Sequence, residues 1–350
     1  MPSGDRNYAL DGLRGLAALS VALGHCDLSV SGLAAWSLKI GDLHGLPPVL
    51  SIGRLAYLIF PSDAAVTLFF VLSGHVLWES FFAKYPLSLR AFPEYLSSRI
   101  FRLWPTAIAC GIPLGLIAAI WGPPIDIGEL ARTMTILSIK TNGVLWSLQI
   151  EVVCSLLLFF VWLAVRRNTL LHILVFLLSL AAFRQFGYSN NYILFFASFM
   201  MGAFIAKLPD TVRRNTLLIL IGIPLLVGSS IILGHDWRSR YAETLGAFLI
   251  VANIGKTQPA FMSCGPVHFL GRISYPFYLS HIIGLKAAAP LVARFSGGHH
   301  WAAFLIYVVV SLAVTIPLAW VIHIAVEAPA MRWRPRIGFW SADRKAPVSL

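Results

Sequence analysis

Apolar runs long enough to cross a bilayer recur from one end of this chain to the other. They lie near residues 9–28, 64–83, 100–121, 146–165, 169–186, 192–207, 215–234, 241–254, 268–291 and 301–326. A transmembrane helix needs about 20 mostly apolar residues. Of the 350 residues, 58% are hydrophobic and only 12% charged, whereas a soluble domain carries about 25% charged residues. Barrel strands would alternate polar and apolar at every second position, and these runs do not. The expected fold is therefore all-α: a polytopic transmembrane bundle of about ten helices, with residues 1–350 forming one integral-membrane domain without an internal repeat or an appended soluble domain. No small-residue cleavage site follows a short apolar core near the start, so the first segment is expected to be a retained span.

Basic residues orient such a bundle, because Lys and Arg accumulate in cytoplasmic loops. With the N-terminus inside, the inner loops collect Lys84, Arg90, Arg99, Arg166, Arg167, Lys207, Arg213, Arg214 and Lys256, and the tail adds Arg332, Arg334, Arg336, Arg344 and Lys345. The outer loops hold only Lys39, Arg54, Arg132, Lys140, Arg238 and Arg294. Both termini are expected in the cytoplasm. Two large outer loops, near 29–63 and 122–145, carry Pro47-Pro48 and Pro123-Pro124 and read as irregular chain. The net charge of +12 fits cytoplasmic loops facing anionic lipid. No stretch alternates basic and aromatic residues, so nucleic acid is not an expected partner. Cys26, Cys110, Cys154 and Cys264 contain no CxxC pair and read as small apolar fillers.

Ionisable residues inside apolar segments are costly, which makes them informative. Arg14 and His25 share the first segment, 11 residues apart. At about 100° per residue that is three turns plus roughly 20°, so they share a face, separated by roughly 16 Å along the axis. Snorkelling to the headgroups is the ordinary alternative for Arg14, with Asp11 as a nearby partner. Arg99 and Arg102 are three apart at the start of the third segment; two guanidinia there suit phosphate, and ordinary positive-inside flanking is the alternative. Arg272 repeats the theme at the inner end of the ninth. Glu151 lies near the outer end of the fourth segment and needs a partner; by depth His25 is the natural one. A helix N-terminal acid is the alternative. Ser73 and Gly74 are small residues suited to close packing or to a cavity. His75 and His281 read more simply as hydrogen-bonded bundle residues. HExxH, Walker and Gly-x-Ser-x-Gly patterns are absent, and no metal is expected.

Taken in order, these stretches resemble the membrane acyltransferase-3 family. Leu10-Asp-Gly-Leu-Arg14-Gly with His25 matches its Arg-x10-His motif, and Phe69-Phe-Val-Leu-Ser73-Gly74 its second helix. Arg99-Ile-Phe-Arg102-Leu-Trp-Pro105 matches its Arg-x-x-Arg element, and Trp146-Ser-Leu-Gln-Ile-Glu151 its Trp-Ser-Leu-x-x-Glu element. Gly271-Arg-Ile-Ser274-Tyr-Pro-Phe-Tyr278-Leu-Ser-His281 and Val326-Glu327-Ala-Pro329 match its last helices. His75 and Ala328 depart from the pattern.

The resemblance implies a multi-pass O-acyltransferase of the bacterial cytoplasmic (inner) membrane. Its donor would be cytoplasmic acyl-CoA, most often acetyl-CoA. Its acceptor would be a hydroxyl of an extracytoplasmic carbohydrate: a polysaccharide, a lipopolysaccharide or an exported oligosaccharide. On this reading His25 is the general base and Glu151 orients it, with a covalent acyl-histidine as the other route. Arg14, Arg99, Arg102 and Arg272 bind the donor's phosphates. Asp11, Ser73, Trp146, Ser147 and His281 are further candidates for lining the site. Intramembrane Arg, His and Glu also build transporters and proton relays, and that class stays open at this level.

Overall fold

The computed structural model describes residues 7–121, 125–166, 168–186 and 191–333. Arg167, Pro123-Pro124 and the tail residues Arg334, Arg336, Arg344 and Lys345 lie outside them. Among the described residues the chain is helical throughout, with no strand. The helices are α1 (Tyr8–Ser37), α2 (Pro48–Ile59), α3 (Ser62–Leu77), α4 (Phe92–Trp121), α5 (Ile127–Met134), α6 (Leu145–Val165) and α7 (Thr169–Phe186). They continue with α8 (Asn191–Phe204), α9 (Thr216–Leu233), α10 (Trp237–Thr257), α11 (Gly265–Phe295), α12 (His300–Ile322) and α13 (Ala328–Trp333). Single π-helical turns follow α3 at Trp78–Phe82 and α12 at His323–Glu327.

Among the described residues, seven helical stretches are long and apolar enough to cross a membrane: Tyr8–Gly32, Pro48–Phe82, Leu89–Trp121, Leu145–Val165, Thr216–Leu233, Gly265–Phe295 and His300–Trp333. That is fewer than the ten expected. Thr169–Gln185 and Tyr192–Lys207 are apolar but shorter. α10 drops out because of its charges. Arg240 pairs with Glu243 at 2.8 Å and with Asp63 of α3 at 2.8 Å, and Glu243 is only 1% exposed. α10 thus carries a buried ion cluster that it shares with α3.

The expected outer loops are also largely helical. α1 runs on to Ser37 across a kink at Gly32, whose φ is +76°. Pro48 then starts α2, where a proline costs nothing because the first amide has no intrahelical acceptor. α2 is tied into the bundle by Arg54, which is fully buried, lies 5.3 Å from the Tyr57 ring centre and donates to Ser230 Oγ at 3.4 Å. In the second loop, α5 is capped by Asp126, which accepts from the Glu129 amide at 2.9 Å.

Glycine contacts set the helix registers. A Cβ on Gly15 would fall 2.5 Å from the Gly271 nitrogen, and one on Gly271 would fall 2.5 Å from the Asp11 carbonyl oxygen. α1 and α11 therefore meet backbone to backbone near one end. They are parallel, because ten residues further along each helix His25 meets His281. Gly74 of α3 and Gly202 of α8 make a second such crossing, each facing the other helix's carbonyls. Beside it lies an aromatic core in which Phe82 is stacked on Trp162 at 5.0 Å, and Tyr95 donates to the Ser155 carbonyl at 2.7 Å. Together these contacts hold α1, α3, α4, α6 and α11 around one interior space.

Candidate functional site

That space is a cavity of about 270 Å³ between α1, α3, α4, α6 and α11, lined also by Met331 of α13. Arg14, Arg99 and Arg102 converge on it, together with Ser73, Ser147, Glu151 and Tyr278. Each guanidinium has a carboxylate of its own. Arg14 lies 3.2 Å from Asp11, Arg99 lies 3.8 Å from Glu151, and Arg102 lies 3.4 Å from Glu327. The carboxylates offset the cost of three cations in an apolar bundle and fix where each points. The match is incomplete, since Arg99 Nε is buried with no hydrogen-bond partner among the described residues. Donors gathered on one cavity suit an anionic or carbonyl-bearing ligand.

Adjacent positions of α3 divide two tasks. Ser73 faces the cavity, while Gly74 packs on the Phe199 carbonyl of α8. At the far end of the cavity Tyr278 shares a 2.7 Å hydroxyl contact with Ser147, whose own hydroxyl donates to the Val144 carbonyl at 2.9 Å. One turn beyond Tyr278 in α11 stands His281, fully buried. Its Nδ1 is 2.6 Å from the Tyr278 carbonyl oxygen and its Nε2 is 2.8 Å from His25 Nδ1. The two rings lie within 16° of one plane with centres 5.0 Å apart. They are therefore joined edge to edge along the N···N line rather than laid face to face. His25 is half-buried.

The structure brings together Arg14, Arg99, Arg102, Glu151, Ser73 and Ser147 on the cavity, with Asp11 behind Arg14. It does not bring Glu151 to His25. The depth argument placed the start of the fourth apolar segment at the level of His25, but α6 starts lower. Asn142 donates to the Leu279 carbonyl at 3.1 Å and Ser147 meets Tyr278. Glu151, a turn further along α6, is thus carried away from His281 and down to Arg99. Arg272 is exposed and does not line the cavity, because it follows Gly271, the residue that packs on α1. Trp146 packs on Phe195 at 5.6 Å and does not line the cavity either.

Sequence reasoning missed two features. His281 partners His25, although the i, i+3 spacing of Tyr278 and His281 could have pointed to a histidine tied to its own helix. Glu327 is 4% exposed and accepts from His323 at 2.7 Å while facing Arg102. The π turn makes this possible, since one extra residue in the turn rotates Glu327 inward.

A family model described as an acyltransferase domain, Acyl_transf_3, matches residues 7–324 and so takes in every residue of the cavity but Met331. No curated protein and no solved structure matches the chain.

Proposed function

The chain belongs to the acyltransferase-3 family, and on that footing we propose that it moves an acyl group, acetyl by preference, from cytoplasmic acyl-CoA to a carbohydrate hydroxyl on the far side of a bacterial inner membrane. The observation that carries the reading is the convergence of Arg14, Arg99 and Arg102 on one cavity that ends a turn short of the His25–His281 pair. Arginines favour the anionic portion of such a donor, and Arg99 has a buried N–H without an acceptor among the described residues. The separation of roughly 16 Å along α1 suits a donor gripped by its phosphates at one level and attacked at its thioester at another.

His25 serves as general base. Its Nε2 takes the proton of the acceptor hydroxyl as that oxygen bonds to the thioester carbonyl carbon. The C–S bond then breaks, and the departing thiolate recovers the proton from Nε2. The products are the O-acyl ester and free CoA thiol, so atoms and charge balance. Glu151 belongs to the donor end in this scheme, where it holds Arg99.

The test is reconstitution in liposomes with radiolabelled acetyl-CoA and an oligosaccharide acceptor on the opposite side. His25→Ala should insert normally and lose label transfer. Arg99→Ala and Arg102→Ala should raise the KM for acetyl-CoA. Transfer at the wild-type rate in His25→Ala overturns the role of the base, and acceptor flux without any label transfer points instead to a transporter.

A further inference from the structure

His281 does more than fill space beside His25. A carbonyl oxygen only accepts, so the 2.6 Å contact with Tyr278 puts the proton of His281 on its Nδ1. A second proton would place a full charge on a side chain with no exposed surface and, among the described residues, no carboxylate partner. Nε2 of His281 therefore carries a lone pair and accepts from His25 Nδ1–H across 2.8 Å. The neutral His25 ring then has its lone pair on Nε2, the ring nitrogen that does not face His281.

We propose that His281 is a positioning residue that holds His25 in the Nδ1–H tautomer, so that Nε2 is the basic atom and the imidazolium formed in the reaction is stabilised along the line His25–His281–Tyr278 carbonyl. This inference rests on His25 being the base, and it assigns the second-partner role to a neutral imidazole where a carboxylate would be the usual choice. The geometry supports a neutral partner in two ways. The nearly coplanar rings align Nδ1–H with the acceptor lone pair. The parallel register from Gly15 and Gly271 delivers both rings to the same level.

The experiment combines histidine ring ¹⁵N spectra of the full-length protein in bilayers with steady-state kinetics. Spectra are recorded in alkaline buffer, where imidazoles are neutral, and His25 is assigned by its loss in His25→Ala. Wild-type protein should show His25 protonated at Nδ1. His281→Leu should shift that proton toward Nε2 and lower kcat at least about a hundredfold, with the KM for acetyl-CoA unchanged. His281→Gln, whose amide oxygen can accept from Nδ1–H, should restore the tautomer and much of the rate; a purely structural role would predict no such rescue. An Nε2–H tautomer in wild-type protein, or an unchanged tautomer and rate in His281→Leu, overturns the proposal. If His25→Ala still transfers label while the wild-type tautomer depends on His281, the base assignment fails and the tautomer claim stands.

Discussion

At the residue scale, the cavity's three arginines are three ion pairs, and the pairing decides what each carboxylate does. Glu151 touches Arg99 and lies away from His25, so its removal should be felt in donor binding. Glu151→Gln is expected to raise the KM for acetyl-CoA and leave the His25 tautomer and the pH profile of kcat in place. A double-mutant cycle makes this quantitative. Positions 99 and 151 should couple by about 0.5–3 kcal/mol, while positions 25 and 151 should add within about 0.5 kcal/mol. Coupling between 25 and 151 larger than that between 99 and 151 would restore the pairing inferred from depth. Glu327 is the more deeply buried carboxylate, held between His323 and Arg102. Truncating it would strand Arg102 beside the cavity.

At the element scale, the site depends on helices that touch through backbone. The crossing of α1 and α11 at Gly15 and Gly271 lies about three turns from the histidine pair, yet it sets whether those rings meet. Gly271→Ala places a methyl 2.5 Å from the Asp11 carbonyl oxygen, which belongs to a helix backbone and cannot swing aside. The expected cost is about 1–3 kcal/mol of stability. A displacement of even about 1 Å at the histidines should lower kcat roughly a hundredfold. Gly228 of α9 has nothing within 4 Å of an added Cβ, so Gly228→Ala is the control and should stay within about 1 kcal/mol of wild type. Thermal unfolding in detergent, read beside kcat, checks both. Gly271→Ala with wild-type stability and rate would mean that the helices have room to part.

At the scale of the whole molecule, the distribution of basic residues predicts which end of the cavity faces the cytosol. Met262 lies against Gly12 of α1, so the connection from α10 to α11 sits at the Arg14 end. Cys264 in that connection is exposed, whereas Cys26, Cys110 and Cys154 are buried. A membrane-impermeant maleimide should therefore modify Cys264 only after intact cells are permeabilised. Labelling of Cys264 in sealed cells would invert the bundle and put the arginines on the outside.

The sequence by itself determined the class of the fold and the roster of polar residues. Few charges on long apolar runs admit little other than a helix bundle in lipid; Arg14, Arg102 and Glu151 stand out because each interrupts such a run, and Arg99 because it stands at the head of one. Composition could not show how α10 holds its charges, which it buries by pairing Arg240 with Glu243 of the same helix and with Asp63 of α3. A proline-rich stretch looked like loop because Pro48 opens a helix as readily as it ends one. Who pairs with whom was decided only by tertiary structure. Depth counted along one helix fixes a level only if every helix starts at the same level, and α6 starts below His25. The partner of His25 came instead from α11, 256 residues away, because glycines too small to keep two backbones apart brought the two helices into register.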